Sequence, residues 1–123
     1  MGLGRMLVTA AVLRGIYNAY ENHIDQFKHA YKNAKAECAK QSGPAREQCI
    51  RKTMSKFYAR MAQLEDQTVK QLKRVGASDS KIRRHQIRAE YFKRLSQLVK
   101  DPAVPLKKAR GMARRSIGVR IVR

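Results

Sequence analysis

The chain reads as an all-α protein: a long antiparallel helical hairpin plus a third helix, with a basic, partly extended C-terminal tail. Three observations point there. Apolar residues recur at alternating steps of four and three through two long stretches, the spacing that keeps one seam of a helix facing a partner. Proline and glycine fall between these stretches, at Gly43-Pro44, Gly76 and Pro102. The last acidic residue is Asp101, and the segment 102–123 carries seven Lys/Arg and no Asp or Glu.

The first helix is expected over residues 6–40. Met6, Ala10, Leu13, Tyr17, Tyr20, Ile24, Phe27, Tyr31, Ala34 and Cys38 hold an a/d register throughout. Gly15 lies inside it and costs about 1 kcal/mol relative to alanine, too little to break so long a pattern.

Gln41-Ser42-Gly43-Pro44 interrupts the register, and a second helix is expected over 44–75. Pro44 suits its first position, where a missing N–H costs nothing, and Glu47 is read as a first-turn acid complementing the helix dipole. Its seam is Ile50, Met54, Phe57, Met61, Leu64, Thr68, Gln71 or Leu72, and Val75, with Gly76 as a left-handed C-cap. A short connection favours antiparallel neighbours, which pairs Cys38 with Ile50, Ala34 with Met54, Tyr31 with Phe57, Phe27 with Met61 and Ile24 with Leu64. At 1.5 Å per residue each arm spans roughly 45 to 50 Å, so an elongated rod is expected.

A third helix is expected over 79–100, with Ser78 as N-cap and Ile82, Ile87, Tyr91, Phe92, Leu95, Leu98 and Val99 on its apolar side. Asp101-Pro102 ends it, because the residue before a proline disfavours helical angles. Residues 1–101 thus form the helical domain and 102–123 a basic C-terminal arm. In the arm, Leu106, Ala109, Ala113 and Ile117 line one side of a short helix with Gly111 in its middle. Ile117, Val119 and Ile121 alternate as in an extended strand. This arm is expected to be ordered by contact with another molecule, so deleting residues 106–123 is expected to leave most helical structure intact.

The formal charge is +19, with 28 Lys/Arg against nine Asp/Glu. Self-repulsion of that size destabilises a compact state unless a polyanion neutralises it. Arg83, Arg84 and Arg88 on the third helix, with Lys107, Lys108, Arg110, Arg114, Arg115, Arg120 and Arg123 in the arm, are the expected polyanion-binding residues. Arginine predominates in the arm, and its planar fork suits bidentate phosphate contacts. Lys28, Lys32 and Lys35 read as a solvated face, since acids are interspersed there. Helix-turn-helix spacing, zinc-finger ligands and the aromatic motifs of RNA-recognition modules are not visible, so binding is expected to follow backbone and shape.

Cys38 and Cys49 flank the loop between the first two helices. A disulfide there requires Cα atoms about 4.4 to 6.8 Å apart, closer than helices usually pack; the alternative is two reduced thiols filling small core positions. His23, His29 and His85 match no zinc spacing. The nine carboxylates form no acid–base pair, and phosphate loops and nucleophile elbows are absent. No enzymatic role and no cofactor or metal are expected. Tyr17, Tyr20 and Tyr31 read as packing residues of the seam, since stacking platforms lie on open surfaces.

The longest apolar run, residues 6–13, is too short to span a bilayer, which needs about 20 residues. Arg5 precedes it as in a signal peptide, but a small-residue cleavage context is missing. The run is expected to serve as a docking surface for another chain or, less favoured, for the inner face of a lipid layer.

The expected role is a non-catalytic structural protein of a nucleic-acid-containing particle, a minor capsid or internal virion protein bridging coat subunits and packaged nucleic acid. Its partners would be other structural proteins and a nucleic-acid backbone or an acidic protein surface. The alternatives are a basic RNA-binding protein of a ribosome or other ribonucleoprotein, cytoplasmic or organellar, and a coiled-coil adaptor whose charge serves only solubility.

Overall fold

The computed structural model describes residues 27–117, and every regular element among them is helical. Helix α1 covers 27–37, followed by α2 (Gly43–Arg74), α3 (Asp79–Lys100) and α4 (Leu106–Ser116). The early heptad positions Tyr17, Tyr20 and Ile24, the apolar run 6–13, and the expected extended end with Arg120 and Arg123 lie outside the described residues. Among the described residues no helix is long and apolar enough to cross a membrane.

The punctuation read from the sequence sets the helix ends. Gly76 takes φ +68, and two backbone bonds close the end of α2, Gly76 N–H to the Lys73 carbonyl (3.3 Å) and Ala77 N–H to the Leu72 carbonyl (3.0 Å). That pair is the Schellman motif, which satisfies carbonyls the helix leaves over. Ser78 caps α3, its hydroxyl accepting from the Lys81 N–H at 3.3 Å. At the other end of α3 the Asp101 carboxylate accepts from the Ala103 N–H at 2.9 Å, shaping the turn into α4. Glu47 differs from its expected place: it lies beyond the first turn of α2 and pairs instead with Arg51 at 3.4 Å.

Cys38 and Cys49 are bridged, with their Cα atoms 5.9 Å apart. The close approach is possible because Cys38 sits in the turn just past α1, not within a packed helix pair. Ala30 and Ala34 of α1, with Cys38, are buried in the same core as Ile50 and Met54 of α2.

The seam of α2 lies elsewhere than the heptad reading puts it. Ile50, Met54, Tyr58, Ala62 and Val69 are the buried apolar positions, while Tyr31, Phe57 and Leu64 are exposed and Met61 is partly buried. The cause is a second neighbour. Helix α3 packs along α2 on the side away from the expected seam, so the buried arc rotates towards the line between α1 and α3 and Tyr58 replaces Phe57 at its centre. Tyr58 is fully enclosed. Its ring stacks between Phe27 of α1 (6.4 Å between centroids, 22° between planes) and Phe92 of α3 (6.1 Å, 13°), and Tyr91 continues the row at 5.7 Å from Phe92. Burying one such ring contributes roughly 2 to 3 kcal/mol.

Polar contacts fix how α2 and α3 meet. Ser96 Oγ donates to the Ser55 carbonyl at 2.8 Å and lies 3.0 Å from Ser55 Oγ, a contact only small side chains permit. Glu65 of α2 receives two groups from α3, His85 Nδ1 at 2.6 Å and Arg88 Nη2 at 3.2 Å. Arg51, itself buried, donates from Nη1 to the carbonyls of Val99 (3.2 Å) and Asp101 (2.9 Å), placing a cation at the negative end of α3.

The C-terminal segment is not a separate arm as far as Ile117. Val104, Ala109 and Ala113 are buried in the same core as Leu95 and Val99, with Leu106, Met112 and Ile117 packed at its edge. Small residues explain this: alanines on the inner face of α4 let its backbone settle close to α3. Ile117 itself ends α4 in helical geometry rather than starting a strand.

Candidate polyanion interface

Helix α4 is built with one face on the core and the opposite face cationic. Ala109 and Ala113 point inward, and the same 3.6-residue period turns Lys107, Lys108 and Arg115 outward. Arg110 lies between the faces. Its guanidinium carbon sits 4.6 Å from the centroid of the Phe27 ring, and its Nε is buried without a hydrogen-bond partner. A guanidinium held over an aromatic face can still offer its outer donors to a bidentate acceptor. Its charge also reaches Tyr58: burial pushes that phenol far above its ordinary value, and Arg110 pulls partly the other way.

Two hollows adjoin on α4. One, about 430 Å³, is lined by Lys107, Lys108, Arg110, Gly111 and Arg115. Gly111 gives it depth, since a β-carbon there would stand 3.4 Å from an Arg115 guanidinium nitrogen. The other, about 540 Å³, runs between α1, α2 and the start of α4 and is lined by Phe27, Lys28, Tyr31, Glu47, Arg51, Pro105, Leu106, Lys107 and Arg110. Lys107 and Arg110 belong to both. Among the described residues, Lys107, Lys108, Arg110 and Arg115 have no carboxylate within ion-pair distance.

The arginines of α3 differ from those of α4. Arg88 is committed to Glu65, and Arg83 borders a hollow shared with Asp66, Glu90 and Lys93, where Lys93 reaches Asp66 at 3.3 Å. Arg84 is half-buried, with its Nε enclosed and lacking a hydrogen-bond partner. The structure therefore separates the expected set: Lys107, Lys108, Arg110 and Arg115 gather on one helix, while Arg83 and Arg88 stand beside acids on another. Arg114 projects from α4 as an exposed residue.

Sequence reasoning missed three participants. Phe27 and Tyr31 were assigned to the seam, yet both border the larger hollow, and Tyr31 is 36% exposed with the Lys35 ammonium 5.1 Å from its ring centroid. Arg51 was not singled out. The only hint in the sequence is its position directly after Ile50, at the edge of the apolar stripe. Among the described residues no cluster of His, Cys, Asp and Glu has the makings of a metal site.

No protein-family model, curated protein or solved structure matches the chain. Its functional reading therefore rests on the α4 surface and the groove beside it.

Proposed function

We propose that the chain is a non-catalytic structural component of a nucleic-acid-containing particle, a minor or internal protein of a virion, that holds packaged nucleic acid through α4 and neighbouring protein through its helical rod. The observation that carries this reading is the cationic face of α4, where Lys107, Lys108, Arg110 and Arg115 lie together without carboxylate partners among the described residues. Four uncompensated charges on one short helix repel one another, and a polyphosphate relieves that cost. In the sequence, Tyr17, Tyr20 and Ile24 keep the heptad spacing upstream of α1, and Arg120 and Arg123 follow α4. The Cys38–Cys49 bridge favours a virion over a ribonucleoprotein of a reducing cytosol, because disulfides persist in oxidising settings and on particle surfaces.

The test is binding of the purified full-length chain to DNA and RNA across a salt series. Affinity is expected to fall steeply between about 50 and 200 mM salt, with a log–log slope that shrinks by about one for each of Lys107→Gln, Lys108→Gln and Arg115→Gln. Affinity that ignores salt, or no binding at the lowest salt, overturns the proposal.

A further inference from the structure

We infer that the preferred ligand is single-stranded nucleic acid, with a base seated in the groove between α1 and α4 against Tyr31 while the adjoining phosphates follow the cations of α4. This deepens, and rests on, the polyanion reading of α4.

The groove has a character that a phosphate backbone alone does not use. Phe27, Tyr31, Pro105 and Leu106 make its apolar wall, and Lys28, Lys107 and Arg110 its cationic rim. Its volume, about 540 Å³, is within the range of sites that enclose a flat organic ligand. Arg51 also lines it, but its Nη1 is spent on the carbonyls of Val99 and Asp101 and its Nε and Nη2 donate to Glu47. Glu47, the one acid on the rim, lies beside Arg51.

Tyr31 decides the class of nucleic acid. Its heptad position calls for burial, yet the ring stands at the surface beside the groove because α2 turns Tyr58 rather than Phe57 towards α1. A partly exposed aromatic ring that carries the Lys35 ammonium over it and borders a groove with Lys28, Lys107 and Arg110 on its rim is what an unpaired base stacks on. Duplex bases are already stacked inside the helix, so a duplex would meet only the rim. Continuity supports the same choice: Lys107 and Arg110 line both the groove and the wholly basic hollow around Gly111. A strand with one base in the groove therefore brings its neighbouring phosphates to Lys108 and Arg115.

The experiment compares labelled oligo(dT) and oligo(U) of about 20 nucleotides with a mixed-sequence duplex of the same length, using full-length chain and Tyr31→Ala and Tyr31→Phe variants. Single strands are expected to bind at least about tenfold more tightly than the duplex, and Tyr31→Ala to lose about tenfold on single strands while changing duplex affinity by less than about twofold. Tyr31→Phe, which keeps the ring, is expected to restore binding. Ultraviolet cross-linking to oligo(U) is expected to place the adduct on Tyr31. Because Tyr31 is at the surface, its variants are expected to keep the wild-type thermal midpoint. Equal affinity for both forms, or equal loss on both with Tyr31→Ala, overturns the single-strand inference while leaving the polyanion reading standing. Heparin or anionic vesicles binding as tightly as oligo(dT) does the same. No binding to any polyanion at low salt overturns both.

Discussion

At the scale of single residues, Tyr58 and Arg51 carry more of the structure than any sequence pattern suggests. Tyr58 follows Phe57, and in isolation the more apolar neighbour claims the core position. The core instead takes the tyrosine, because its ring fits flat between Phe27 and Phe92. The enclosed phenol has a consequence for alkaline stability. Its folded-state pKa is raised by burial above the unfolded value, near 10, so its contribution is fully present below that pH and is lost as pH rises beyond it. Urea midpoints measured from pH 8 to 11.5 are expected to decline more steeply at the alkaline end for the wild type than for Tyr58→Phe. Parallel curves would place the phenol in contact with solvent. Arg51 has a different logic: a buried cation on one helix satisfies the last carbonyls of another. No periodicity argument finds such a residue, since its partners are 48 and 50 positions away.

At the scale of elements, boundaries were legible and facing directions were not. Gly76, Ser78 and Asp101-Pro102 act through local backbone chemistry, so the ends of α2 and α3 follow from a few adjacent residues. Which side of α2 is buried depends on how many helices surround it, and a heptad pattern assumes one partner. With α3 as a second partner, Phe57 and Leu64 are left exposed while Ala62 is enclosed. Charge misled in a similar way at α4. A segment of uniform sign reads as detached, but its inner face needs only alanines and a few edge residues to join the core. Deleting residues 106–123 is therefore expected to destabilise the whole domain, by about 2 kcal/mol or more, because Val104, Val99 and Phe27 lose the helix beside them. Unchanged denaturation midpoints after that deletion would return the segment to the status of a loose tail. This reverses the outcome the sequence alone suggests.

At the scale of the whole molecule, the loop that joins α1 to α2 is closed covalently at residues 38 and 49. Cross-linking a loop of this length removes unfolded-state freedom worth about 3 kcal/mol in the chain-entropy account. Replacing both cysteines with alanine is expected to lower unfolding free energy by about that amount and to loosen α1 first, since α2, α3 and α4 hold one another through separate contacts. Amide exchange would report it as faster exchange over 27–37 with α3 little changed; uniform acceleration would mean that the staple supports the entire core. The site is legible in part at this scale. Composition alone pointed to the basic segment that forms α4, whereas the groove beside it required knowing that α4 folds back to meet Phe27.

The tie from Arg51 to the end of α3 reaches beyond stability. It anchors the turn from which α4 departs, so the lysines and arginines of that helix form a stencil of fixed spacing rather than a brush of independent hooks. A brush conforms to any curvature of the polymer it meets. On the proposed polyanion reading, a stencil favours strands whose phosphate intervals match its own.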